Sequence, residues 1–115
     1  MRKLILLSLF IPLVSFGQSA QYYFEKANEE LGNQNPFVAV ELYTKAIVVD
    51  SAFADAYLNR GIAKALIDPK LFGQIYEDKT SACKDFYKAK RLGKEGSAAA
   101  KHSTEMIMAL CADFQ

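Results

Sequence analysis

Cys83 and Cys111 are the residues of this 115-residue chain most open to covalent chemistry. They do not form a Cys-x-x-Cys pair, and the single histidine is His102, so a thiolate activated by an adjacent base is not expected. In an oxidising compartment an even cysteine count points to one disulfide. In a reducing one the same residues would be two buried thiols acting as small apolar side chains. Closing the 83–111 loop of about 29 residues would contribute about 3–4 kcal/mol in the chain-entropy picture. His102 and Glu105 stand at i, i+3 and form at most half of a metal site. Zinc takes three or four ligands, so a surface pair is expected, with no metal and no cofactor. Lys84, Lys88 and Arg91 lie at i, i+4, i+7, with Lys94 beyond and Asp85 interrupting, which reads as a solvated helix face. There is no Gly-rich phosphate loop, nucleophile elbow or convincing carboxylate pair. A non-catalytic protein is therefore expected; an enzyme would need a pocket that joins His102 to a free thiol.

Composition narrows the partners. Fourteen basic residues against 13 acidic ones leave a net charge of +1, with 51% of residues apolar and 12% aromatic. A polyanion binder acting through bulk charge would carry a clear basic excess, so no nucleic-acid partner is expected. Half the chain being apolar excludes low-complexity disorder, and the length sets a ceiling of one domain.

The apolar residues are concentrated at the start. Arg2 and Lys3 precede a run from Leu4 to Phe16 in which only Ser8, Pro12 and Ser15 are not strongly apolar. That run is too short for a bilayer core of about 30 Å, which takes about 20 helical residues. Ser15 and Gly17 put small residues at −3 and −1 of a cut after Gly17. Residues 1–17 thus read as a secretory signal peptide, and no stable membrane span is expected once it is removed. The mature chain would begin at Gln18, carry a net charge of −1, and reside in the periplasm or outside the cell.

Residues 18–115 read as helix throughout, because strand-type alternation is missing and Ala, Leu, Lys and Glu are abundant. The spacing predicts helices over about 20–31, 36–49, 52–67, 80–92 and 97–111. Tyr23, Ala27 and Leu31 share one face of the first. Ala39, Leu42, Tyr43, Ala46, Ile47 and Val49 share one of the second. The third holds Ala56, Tyr57, Gly61, Ala65 and Leu66; the fourth Ala82, Cys83, Phe86, Ala89 and Leu92; the fifth Ala100, Ile107, Leu110, Cys111 and Phe114. Asn35 followed by Pro36 should start the second helix, Asp50–Ser51 should cap the third, and Gly93 should close the fourth. Asp68–Pro69 should end the third helix and open an irregular stretch to Asp78. Short connections imply antiparallel neighbours, hence an all-α array of hairpins.

The chain also repeats itself. Ala39-x3-Tyr43-x2-Ala46-x2-Val49 and Ala82-x3-Phe86-x2-Ala89-x2-Leu92 share one pattern at an offset of 43 residues. Upstream of the second copy runs Ala56-Tyr57-Leu58-Asn59-Arg60-Gly61-Ile62-Ala63-Lys64. This hairpin resembles a tetratricopeptide repeat, with Tyr57 at the first aromatic position, Gly61 at the helix-contact glycine, and Ala82, Phe86 and Ala89 at the small-aromatic-small positions. The resemblance covers about Tyr23 to Leu92. It departs from the family in nine extra residues within 68–80, in Ala27 where a glycine is usual, and in Ser51 and Gly93 where a proline is usual. It implies two stacked hairpins, about 20–50 and 52–93, with a terminal helix as solenoid cap.

In that family the first helix of each hairpin lines a concave groove for a peptide or partner segment. The matching positions are Asn28, Leu31, Asp55, Leu58, Asn59, Ile62, Ala65 and Leu66. Ile62 stands where a carboxylate-clamping asparagine would be needed, so an apolar partner segment is the better expectation. The inserted loop, apolar for a connector, either folds back or offers Phe72 and Tyr76 to a partner. The resemblance implies a protein–protein interaction module, and the signal-like start makes it an exported one. The competing expectation is an accessory envelope protein that associates weakly with itself.

Overall fold

The computed structural model describes residues 18–67 and 80–112. Among these the chain is all-α: α1 Ala20–Gly32, α2 Pro36–Val49, α3 Ala54–Leu66, α4 Thr80–Leu92 and α5 Ala98–Leu110. Each helix packs on the next in sequence, and weaker contacts join α1 to α3 and α3 to α5. The odd-numbered helices therefore share one side of a stack of antiparallel hairpins, with α5 closing its C-terminal end. The signal-like residues 1–17, the stretch 68–79 with Phe72 and Tyr76, and Phe114 lie outside the described residues.

Short-range chemistry sets most helix ends. The Ser19 hydroxyl accepts from Tyr22 N–H at 3.0 Å, and the Ser97 hydroxyl accepts from Ala100 N–H at 3.2 Å, so each satisfies one open donor of a first turn. Pro36 occupies the first turn of α2, as expected, but the Asn35 side chain makes no cap and instead donates to the Glu30 carboxylate at 2.9 Å. The turn between α1 and α2 explains this. Gln34 sits at φ +63°, its N–H bonds Leu31 O at 3.1 Å, and Asn35 N–H bonds Glu30 O at 2.9 Å. This is the Schellman pattern with glutamine where glycine is usual, while Gly32 lies inside the helix.

Two further boundaries differ from expectation. α3 begins at Ala54, not Ala52, because the Asp50 carboxylate accepts from Ala52 N–H at 3.0 Å and holds residues 50–53 in a separate turn. Phe53 then takes the cap position without a capping bond and stacks on Phe24 with ring centroids 4.7 Å apart. Gly93 follows α4 as expected, but the left-handed residue of that turn is Gly96, at φ +80°. A Cβ at Gly93 would lie 3.1 Å from Ala89 O and 3.2 Å from Ala100 N and the Ser97 hydroxyl, so glycine there lets the turn pack tightly on the start of α5.

The core runs through all five helices. Tyr43 and Phe86 are its largest fully buried side chains, with Ala27, Ala39, Ala46, Ala63, Ala82 and Ala89 letting the helices close around them. A Cβ built on Gly61 would lie 2.6 Å from a Phe86 ring carbon, so α3 and α4 approach as closely as only glycine permits. On α2 the expected face is shifted: Val40 is buried and Val49 is 54% exposed, because α3 covers the Val40 side.

Candidate functional site

Cys83 and Cys111 are joined as a disulfide with Cα atoms 5.8 Å apart, and no free cysteine remains. It ties the first turn of α4 to the C-cap of α5 in a fully buried position. Geometry fits the antiparallel α4–α5 hairpin: one sulfur comes early in α4, the other late in α5. No thiol is left to act as a nucleophile, so the role is structural. His102 Nδ1 lies 3.1 Å from the Glu105 carboxylate on the exposed side of α5. Among the described residues no group of three or more His, Cys, Asp or Glu is placed to hold a metal.

The groove residues divide. Asn28 on α1 and Asn59 on α3 come together, the Asn59 amide donating to the Asn28 carbonyl at 3.0 Å across 31 residues of sequence. The same Asn28 carbonyl accepts from the buried Tyr43 hydroxyl, so α1, α2 and α3 meet at one oxygen. Burial pushes the Tyr43 phenol up to about 12, with the Asn59 side chain opposing this in part. Leu31 and Ile62 are half-buried beside this pair, Asp55 and Ala65 are exposed, and Leu66 is 62% exposed. Leu58 is a correction: at 5% exposure it belongs to the core and cannot line an open face. In the α3 helix it falls on the side that packs against its neighbours, one residue from Tyr57.

A second polar cluster went unforeseen. Asp85 of α4, 4% exposed, receives the Arg60 guanidinium in a two-point contact at 2.9 and 2.7 Å and the Lys64 ammonium at 2.9 Å. Arg60 also donates to the Thr44 hydroxyl at 3.2 Å and lies 5.5 Å over the Tyr57 ring, while Lys64 donates to the Ser81 hydroxyl at 2.8 Å. Burial lowers the Lys64 ammonium below its usual value, and the Asp85 carboxylate beside it pulls the other way. Asp85 thus does not interrupt the basic stripe; it points into the α3–α4 interface, leaving Lys84, Lys88, Arg91 and Lys94 as a continuous outer face. The signal was present: Asp85 occupies the repeat position that Leu42 fills in the first hairpin, and Arg60 and Lys64 are one helical turn apart. A carboxylate replacing a core leucine beside the motif aromatic requires partners.

Chemically, the α1–α3 face offers the Asn28 and Asn59 amides, the exposed Asp55 carboxylate and apolar side chains. Among the described residues no helix is long and apolar enough to cross a membrane. Compared with known proteins, the chain matches no family model, no curated protein and no solved structure.

Proposed function

We propose that the protein is a non-catalytic interaction module of the tetratricopeptide-repeat type, exported to the periplasm or beyond, which takes an extended peptide or partner segment along the α1–α3 face. The Asn28–Asn59 pair carries this reading. Its inner oxygen accepts from Tyr43 and Asn59, and on this reading the Asn28 amide N–H groups and the Asn59 carbonyl would serve the partner. A donor and an acceptor side by side match the carbonyl and N–H of an extended backbone, while Leu31, Ile62 and Leu66 would receive apolar side chains. The buried disulfide supports the export reading, because such bonds persist in oxidising compartments.

Selection of peptides from a phage-displayed library on the immobilised protein, followed by titration, tests it. Selected peptides should be rich in apolar residues and bind saturably. Leu66→Asp and Asn59→Ala should each weaken binding about tenfold, the loss of about 1.4 kcal/mol, without changing the helical circular dichroism. Failure to select any saturable binder, or binding that ignores both substitutions, would sink the reading. Export is checked separately by N-terminal sequencing of the mature protein, which should begin at Gln18.

A further inference from the structure

The two ends of the stack carry opposite charge. Residues 18–50 hold Glu25, Glu29, Glu30, Glu41 and Asp50 against only Lys26 and Lys45. Residues 80–112 hold Lys84, Lys88, Lys90, Arg91, Lys94 and Lys101. Of their three carboxylates, Asp85 is consumed by Arg60 and Lys64, which leaves Glu95 and Glu105 outside. Helix α3 stands between the two groups. No helix precedes α1 among the described residues, and its outer face shows Tyr22, Glu25 and Glu29 at i, i+3, i+7. Lys26 offsets this acidity only in part, lying 3.6 Å from Glu29 at an exposed site. The outer face of α4 shows Lys84, Lys88 and Arg91 at i, i+4, i+7.

We propose that these faces are two halves of one interface, the acidic α1 face of one copy docking on the basic α4 face of the next. Charge complementarity names the occupant. Both faces are helical, about one and a half to two turns long, and presented by the same molecule, so at any concentration of this protein the matching counter-surface is present. The net charge of +1 gives no bulk attraction for a nucleic acid or an anionic membrane. Tyr22, 41% exposed one turn before Glu25, is the aromatic anchor, and its ring face already accepts Lys26 at 6.0 Å. Because the two faces differ and lie on different hairpins, the contact is heterologous and propagates from copy to copy instead of closing as a two-fold dimer. It leaves the α1–α3 groove open and is independent of peptide binding there.

Sedimentation of the purified protein over a concentration series tests this. At about 20 mM salt the mean mass should climb past that of a dimer, and at about 0.5 M salt, where charges are screened beyond a few ångströms, it should fall to the monomer. K84E/R91E and E25K/E29K, all at exposed positions, should each remain monomeric and melt like the parent. An equimolar mixture of the two should associate again, because each restores the other's missing complement. Tyr22→Ala should weaken association about tenfold. A monomer at every salt and concentration would overturn the proposal. So would a closed dimer, salt-insensitive association, a mixture that stays monomeric, or binding to heparin or anionic vesicles without self-association. Titration of a groove-binding peptide on the same variants should be unchanged, which separates failure here from failure of the peptide-binding reading.

Discussion

Hairpin α1–α2 and hairpin α3–α4 share one small-aromatic-small frame, with Ala39, Tyr43 and Ala46 in the first and Ala82, Phe86 and Ala89 in the second, all buried. What holds each pair together differs. In the first, Ala27 stands where the second has Gly61, and the aromatic carries a hydroxyl that reaches across to Asn28. Phe24 packs near Tyr43 at 5.9 Å between centroids and on Phe53 at 4.7 Å, so the first hairpin is joined to the start of α3 by aromatic stacking. In the second, glycine lets Phe86 press against the α3 backbone and an ion cluster joins α3 to α4, while a disulfide fastens α4 in turn to α5. Equivalent frames can thus be closed by neutral hydrogen bonding and stacking or by charge and covalency. The first way leaves amides at the surface, as at Asn28 and Asn59. The second encloses its polar groups.

The largest test of this contrast is Asp85→Ala. Removing the carboxylate takes away the buried counter-charge of Arg60 and Lys64 in the α3–α4 interface, and unfolding by urea should show a loss of about 3–5 kcal/mol. A loss under about 1 kcal/mol would mean that the cluster is solvated and that the second hairpin is held chiefly by packing.

Next comes the disulfide. Replacing both Cys83 and Cys111 by alanine should cost about 3–4 kcal/mol from loop entropy. Hydrogen exchange should show where: α5 loses protection first, because its other fully enclosed positions are the small residues Ala99 and Ser103, and the Ser103 hydroxyl is buried without a partner. Equal loss across α1–α2 would dissolve the distinction between the hairpins.

For the first hairpin the test is pH. The Tyr43 phenol titrates near 10 when unfolded and at about 12 when folded, so its contribution is intact below pH 10 and disappears as pH rises to 12. The difference in stability between the parent and Tyr43→Phe, followed by denaturant melts, should shrink or reverse by about 2–3 kcal/mol across that window. Comparing the two proteins cancels the opposite contribution of Lys64, whose lowered value makes the folded state gain stability as pH rises toward 10.5. A difference that stays flat would place Tyr43 in contact with water.

The smallest effect is at the α1–α2 turn. Gln34→Gly removes a left-handed side chain at φ +63° and should raise the melting temperature, stabilising by about 1 kcal/mol. Destabilisation would show that the glutamine side chain holds the turn through contacts of its own.

The helices were legible before any coordinates because their causes are local. Apolar spacing of 3 and 4, Pro36 at a first turn, and Ser97 as a cap all act within one turn of chain. The disulfide was legible too, since one antiparallel hairpin suffices to bring residues 83 and 111 together. Asn28 and Asn59 could be assigned to one face by repeat position, and they do meet.

Burial was decided elsewhere. Whether Leu58 faces a groove or the core, and whether Val40 or Val49 is covered, depends on which side of a helix its neighbours in space occupy. That choice belongs to the crossing of whole helices, where a few tens of degrees of rotation exchange an inner residue for an outer one. Asp85 is the clearest case. In the sequence it is one acid breaking a basic stripe. In the fold, the approach permitted by Gly61 carries it against Arg60 and Lys64, because a carboxylate taken out of water is stable only where cations from another helix meet it.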